Sequence, residues 1–417
     1  MSPVSDHLRR IAEQDLRFRA FACVGAAEGD SAGTADDSTD QVLLGVKDLF
    51  EVAGLPTTLG SVAVPARVAT ETAAAVAALQ HWGAVVVGKT VTSEFAYLEA
   101  NMTRNPWNLA YSPGGSSSGS AAAVAAGEVP LAIGTQTNGS VIRPATYCGV
   151  VGVKPSHGAI PVDGLFPFAP SFDTVGSFAR SVRLAGVAAD VMAGGRLRYR
   201  DIADPGAPVV RGARLGVVRT GDWSRAGGPM REVFASTVDL LDGHGAKIED
   251  VVTPLCGEEA LALHKTISGF EGYRSLRRLG VQREDLLGDR VAEFLRDAAL
   301  VSEGEYESAL TRRGDLLVQL DARLAGLDAL VTLPAAGEAP LAGDNGDPRF
   351  CTRWTLAGLP AVCLPAGFGP AGLPLGVQLV GPRGSDSSLL RFASGVEEVL
   401  AFARNYERLD ASWKTNS

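Results

Sequence analysis

The chain has 417 residues, 46% of them hydrophobic and 6% aromatic, with 49 glycines, so it is long enough for one large α/β domain or two to three average ones. Its net charge of −9, with no basic stripe to neutralise phosphates, argues against nucleic acid as a partner. No stretch approaches about 18 consecutive apolar residues, and the opening MSPVSDHLRRIAEQDLRF has no apolar core, so neither a membrane span nor a secretory signal is expected.

In chain order, residues 1–40 read as an N-terminal helix followed by a polar loop, Gly25–Asp40. A helix is expected after Thr70, with Ala73, Val76, Ala77 and Leu79 on its apolar side and Gly83 closing it, and then a buried strand, Ala84–Val87. The pattern repeats as a strand Leu215–Arg219, a helix over Arg231–Leu241 ended by Gly243, and a strand Lys247–Val252. Ser302–Asp328 reads as a charged outer helix, Ala329–Leu333, Ala361–Leu364 and Leu375–Val380 as strands, and Ser387–Leu400 as a last helix. Helices alternating with short apolar strands predict an α/β protein with one sheet covered by helices on both faces. No repeat and no Pro- or Ser-rich linker divides the chain, so one domain over 1–417 is expected.

The five cysteines (Cys23, Cys148, Cys256, Cys351, Cys363) are scattered without metal-ligand or redox spacing, which fits reduced thiols in a cytoplasmic protein. No Cys/His/Asp cluster has metal spacing, so no metal is expected. Of the histidines His7, His81, His157, His244 and His264, none follows a G-x-S-x-G elbow, and only His157 lies near the glycine-rich block.

That block, GGSSSGSAAAVAAGEVPLAIGTQTNGSVIRPATYCGVVGVKP from Gly114 to Pro155, is crowded with small residues and fits neither an ordinary core nor a solvated surface. Glycines let backbone amides approach a ligand, and the serines set hydroxyls beside them, as acyl transfer requires. Nucleotide binding is set aside, because neither a Walker loop nor a dinucleotide fingerprint is present. A serine nucleophile activated by a buried, neutral lysine remains, and Lys47, Lys89 and Lys154 all sit in apolar contexts. The residues alone do not choose among the three.

The block GGSSSGS…GTQTNGSVIRPATYCGVVGVKPSHG resembles the signature of the amidase-signature family of serine hydrolases. So do GVKDLFEVAGLPTTLGS, GAVVVGKTVTSEFAYLEANMTRNPWN, FDTVGSFARSV and WTLAGLPAVCLPAGFGPAGLPLGVQLVG. The resemblance covers most of 42–183 and 328–400, and residues 184–327 are the looser part expected to shape the substrate pocket. It implies one large mixed, mostly parallel twisted sheet and an amide hydrolysed through an acyl-enzyme, with no cofactor. Lys47 would be the base, Ser140 the nucleophile, and Ser116, after a cis Gly115–Ser116 bond, the proton shuttle. Ser117 would support them, although on chemistry alone Ser117 or Ser118 could be the shuttle. The oxyanion hole would be the backbone N–H groups of Thr137, Asn138, Gly139 and Ser140. Asn138 replaces the family's usual glycine, a position where Asn tolerates positive φ.

Arg143, three residues after Ser140, resembles the arginine by which malonamidase-like members hold a substrate carboxylate, the alternative being a buried ion pair. Gly114, Gly115 and Gln136 are further expected at the substrate, with Tyr147 and Trp354 as either pocket or packing residues. The resulting expectation is a small-carboxamide amidohydrolase, with a small-molecule partner and a homodimer as the assembly entertained. The rival readings are a glutaminase subunit of a tRNA-dependent amidotransferase and a catalytically silent amide-binding protein.

Overall fold

Val42–Lys47 (VLLGVK) and Ala84–Thr90 (AVVVGKT) are aliphatic runs without a polar face, the pattern of strands covered on both sides. In the computed structural model, which describes residues 3–25, 42–199, 210–281 and 283–414, the two pair in parallel within an 11-stranded sheet. The strands are β1 (Phe21–Val24), β2 (Val42–Lys47), the separate hairpin pair β3 (Pro56–Thr57) and β4 (Arg67–Val68), β5 (Ala84–Thr90), β6 (Leu131–Gln136), β7 (Val151–Lys154) and β8 (Thr174–Ala179). They continue with β9 (Arg214–Val217), β10 (Lys247–Asp250), β11 (Ala329–Thr332), β12 (Ala361–Phe368) and β13 (Pro374–Val380). The order across the main sheet is β1-β5-β2-β6-β8-β7-β12-β13-β11-β9-β10.

The sheet is mixed, as expected. Parallel pairing is confined to two blocks, β5-β2-β6 and β11-β9-β10. Antiparallel ladders through β8, β7, β12 and β13 join them, so parallel pairing is the rule inside the blocks and not across the centre.

The helices in chain order are α1 (Pro3–Phe18), α2 (Ala74–His81), α3 (Ser118–Ala125), α4 (Ile142–Cys148), α5 (Val182–Met192) and α6 (Gly228–Gly243). Then come α7 (Glu259–Leu279), α8 (Asp289–Ala298), α9 (Glu303–Leu324), α10 (Arg349–Leu356), α11 (Asp386–Leu400) and α12 (Arg404–Lys414). The expected helices after Thr70, over Arg231–Leu241, within Ser302–Asp328 and at Ser387–Leu400 are α2, α6, α9 and α11. A capping box between Ser302 and Glu305 starts α9. The loop expected over Gly25–Asp40 lies outside the described residues beyond Gly25.

One expectation is corrected. Much of the Gly114–Pro155 block is packed in the core: every residue of α3 and α4 is buried. Its small side chains let helix and strand come closer than larger ones would allow. A Cβ on Gly134 of β6 would lie 2.6 Å from Ser117 Oγ and 2.9 Å from the Phe178 ring.

Parallel neighbours end on the same side of a sheet, and this is what assembles the site. β2 finishes at Lys47 and β6, its parallel partner, at Gln136, so both deliver their next residues to the carboxyl edge where α/β sheets bind ligands. The chain entering α3 carries Ser116 and Ser117 to this edge, because α3 packs on β2 and β6.

Candidate active site

Lys47 closes β2 with no solvent exposure, and its Nζ lies 2.8 Å from Ser116 Oγ, 2.8 Å from Thr135 Oγ1 and 3.5 Å from Thr135 O. A neutral amine has two N–H donors and one lone pair. Two oxygens of Thr135 suit the donors, and the Ser116 hydroxyl suits the lone pair. Burial holds the Lys47 ammonium well below the usual lysine range, opposed by the negative charge of Asp173. Asp173 is itself buried, which raises its carboxyl to about 6 although Thr137 Oγ1 and the Phe168 and Ala169 amides donate to it.

The other two lysines are otherwise engaged. Lys89 forms a buried ion pair with Asp48 at 2.8 Å and also donates to Thr57 Oγ1 and Pro56 O. Lys154 donates to Pro155 O at 2.9 Å, and burial pushes it down to about 8. Only Lys47 reaches one of the serines of the block.

The Gly115–Ser116 peptide bond is cis. Ser117 Oγ donates to Thr135 O and accepts from Thr135 N, so it braces the residue that receives Lys47. Ser118 Oγ accepts from Asn101. Ser116 and Ser140 line one cavity of about 620 Å³, together with Thr137, Asn138 and Arg143. Tyr97, Phe168 and Phe294 form an aromatic wall of that cavity, with Tyr97 and Phe294 centroids 4.5 Å apart. Residues from α7 and α8 complete it, so part of the 184–327 region lines the pocket.

The turn Thr137–Ser140 lies between β6 and α4. Asn138 needs no left-handed backbone, contrary to the expectation: no residue of Thr137–Ser140 has positive φ. Its side-chain oxygen accepts from Thr352 Oγ1 and its carbonyl from Thr355 Oγ1 at 2.6 Å. Gln136 has a different job from the one expected. It donates to Thr355 Oγ1 and accepts from the amides of Val141 and Ile142, so both ends of its amide are used to tie the turn to α4.

Arg143 is 1% exposed and sits in the cavity wall. Its Nη2 donates to Gly115 O at 2.7 Å, while Nε and Nη1 have no partner. Among the described residues no carboxylate is ion-paired with it. Gly114 and Gly115 approach closely rather than contact the cavity: a Cβ would meet Tyr147 at 2.8 Å from Gly114 and Asn345 at 2.8 Å from Gly115. Tyr147 and Trp354 are core residues.

His157 is exposed, its Nε2 on Pro170 O, and is no part of the site. His264, which carries no distinguishing pattern in ALALHKTI, is the histidine that reaches it. It is buried on α7, lines the cavity, donates from Nε2 to Thr137 O at 2.8 Å, and stacks on Phe172 at 4.5 Å. Burial lowers it to about 4, so it is neutral near pH 7. Among the described residues no cluster of His, Cys, Asp and Glu could hold a metal, and no helix is long and apolar enough to cross a membrane.

The chain as a whole is similar to known proteins. The family model "Amidase" covers residues 7–390. A glutamyl-tRNA(Gln) amidotransferase subunit of Roseiflexus sp. (strain RS-1) is 32% identical, over 94% of this chain and 91% of its own. The corresponding subunit of Acidothermus cellulolyticus is 34% identical over 94% and 89%. Among solved structures, an amidase superposes with a TM-score of 0.82 at 27% identity, covering 95% of this chain and 96% of its own. The peptide amidase of Stenotrophomonas maltophilia does so with 0.78 at 29% identity, covering 95% and 92%. The chain therefore belongs to the amidase family and is an amide-bond hydrolase.

Proposed function

We propose that the chain hydrolyses a carboxylate-bearing carboxamide through a serine acyl-enzyme. Neutral Lys47 takes the Ser116 proton, Ser116 takes that of Ser140, and Ser140 Oγ attacks the amide carbon. The relay returns the proton to the departing ammonia or amine, and water then cleaves the ester and regenerates Ser140. The oxyanion is received by the backbone amides of Asn138, Gly139 and Ser140, with Thr137 opening the turn.

The observation that carries the substrate class is Arg143: a buried guanidinium in the wall shared with Ser140, with two donors unpaired. A substrate carboxylate supplies an acceptor for one of them and, on the same edge of the guanidinium, for the second hydrogen of Nη2, which together make a two-pronged clamp. The cavity and its aromatic wall favour an acid that also carries an apolar group over a three-carbon amide alone.

The test is ammonia release across acidic, neutral aliphatic, phenyl-bearing and glutamine amides, with fluorophosphonate labelling at Ser140. Preference for acidic amides supports the reading. No labelling at Ser140 refutes it. A second reading, supply of ammonia within an amidotransferase complex, is favoured by the names of the curated relatives. It predicts glutamine hydrolysis that rises when partner subunits are added.

A further inference from the structure

In a trans peptide the C=O and the following N–H point in opposite directions, so a donor that captures the carbonyl also aims the amide hydrogen. Three successive peptide planes of the Thr137–Ser140 turn are captured in this way. Thr137 O receives His264 Nε2–H at 2.8 Å, Asn138 O receives Thr355 Oγ1–H at 2.6 Å, and Gly139 O receives the Arg143 amide at 3.0 Å. The third is the opening bond of α4. The first two come from outside the turn, from α7 and α10. Among the described residues, none of the amides of Asn138, Gly139 and Ser140 donates to a protein acceptor.

We propose that His264 and Thr355 are positioning residues for this turn, each setting the peptide plane whose N–H receives the developing oxyanion. The inference rests on the acyl-enzyme reading above. Capture from outside holds the donors in place before reaction, which is where electrostatic stabilisation is largest.

Three further contacts make the capture stiff. Phe172 stacks under His264, Asp173 accepts from Thr137 Oγ1, and Gln136 donates to Thr355 while binding the amides after the turn. His264 also lies on the helix whose Leu261, Lys265 and Ser268 line the cavity. Substrate pressing on α7 thus acts on the helix that sets the turn, a route from binding energy to the transition state.

The test compares wild type with His264→Phe, which keeps the stack and loses the donor, His264→Gln, which keeps an N–H donor, and Thr355→Val, which keeps the shape. The readouts are the fluorophosphonate labelling rate at Ser140, kcat and KM for the best amide of the panel, and Tm. His264→Phe and Thr355→Val should each lower kcat and the labelling rate about 10- to 100-fold, with KM changed by less than about threefold. His264→Gln should return to within about fivefold of wild type, a rescue that a space-filling role would not give. Folded His264→Phe and Thr355→Val proteins that label and turn over within about twofold of wild type overturn the proposal, as does a His264→Gln loss equal to that of His264→Phe. If His264→Phe does not fold, Thr355→Val decides by the same criteria. A wild-type protein that is not labelled at Ser140 refutes the acyl-enzyme reading instead.

Discussion

Replacing Arg143 by methionine should lower activity and leave the free protein as stable as before or more so. The variant loses one charged hydrogen bond, to Gly115 O at 2.7 Å, worth about 1.5–3 kcal/mol. It also removes two buried donors without partners, Nε and Nη1, each costing about 1–3 kcal/mol. Burial of the charge itself adds to that cost. The net effect runs from about zero to a few kcal/mol in favour of the variant. In a chain of this size 1 kcal/mol corresponds to a Tm shift of roughly 1–3 °C. For catalysis the sign reverses. Losing one partner of a desolvated charge pair costs about 2–5 kcal/mol, or roughly 30- to 4,000-fold in kcat/KM, for acidic amides. Neutral amides should be affected much less. The assay pairs differential scanning calorimetry with ammonia release on matched acidic and neutral amides, and adds malonate as a ligand that should raise the Tm of wild type but not of the variant. A variant that melts several degrees lower and loses activity equally on both substrates would show that Arg143 is structural.

The remaining expectations concern the lysines and the packing around them. Because burial depresses Lys47 and the base must be neutral, kcat/KM should rise with pH and level off well below 10.5; a rate still climbing near pH ~10 would sink the mechanism. Lys47→Met should fold and lose turnover. Lys89→Met strands buried Asp48, so it should cost about 3–5 kcal/mol by thermal unfolding, yet the folded fraction should still label at Ser140. Reversal of these two outcomes would move the base to Lys89. Gly134→Ala drives a Cβ into Ser117 and Phe178, so it should destabilise by roughly 1–3 kcal/mol and slow labelling as Ser117 and Thr135 shift; an unchanged Tm would contradict the contact geometry.

Local pattern in the sequence was enough to place elements with a periodic face or an apolar run, such as the strands expected at Ala84–Val87 and Leu375–Val380 and the helix at Ser387–Leu400, which the structure extends by one to three residues. The resemblance to the amidase-signature family pointed to Lys47, Ser116 and Ser140, and it was recognisable because chemistry that uses backbone amides and small hydroxyls leaves a dense run of Gly and Ser. Three things needed the tertiary structure. The first is what distinguishes Lys47 physically from Lys89 and Lys154, which residue types alone left open. Burial is alike for all three, and only the partner across space distinguishes them: Ser116 for one, Asp48 for another, a neighbouring carbonyl for the third. The second is the division of labour around the turn, where Gln136 proves to be a brace and Arg143, among the described residues, a charge without a counterion, since satisfaction of hydrogen bonds is a property of contacts far apart in the chain. The third is His264. It stands 127 residues from Thr137, and a lone histidine on a long helix looks the same whether it faces solvent or a carbonyl. Residue type and spacing carry the chemistry that one segment supplies by itself, whereas contacts between distant segments exist only once the sheet has brought β2, β6, α7 and α10 to one edge.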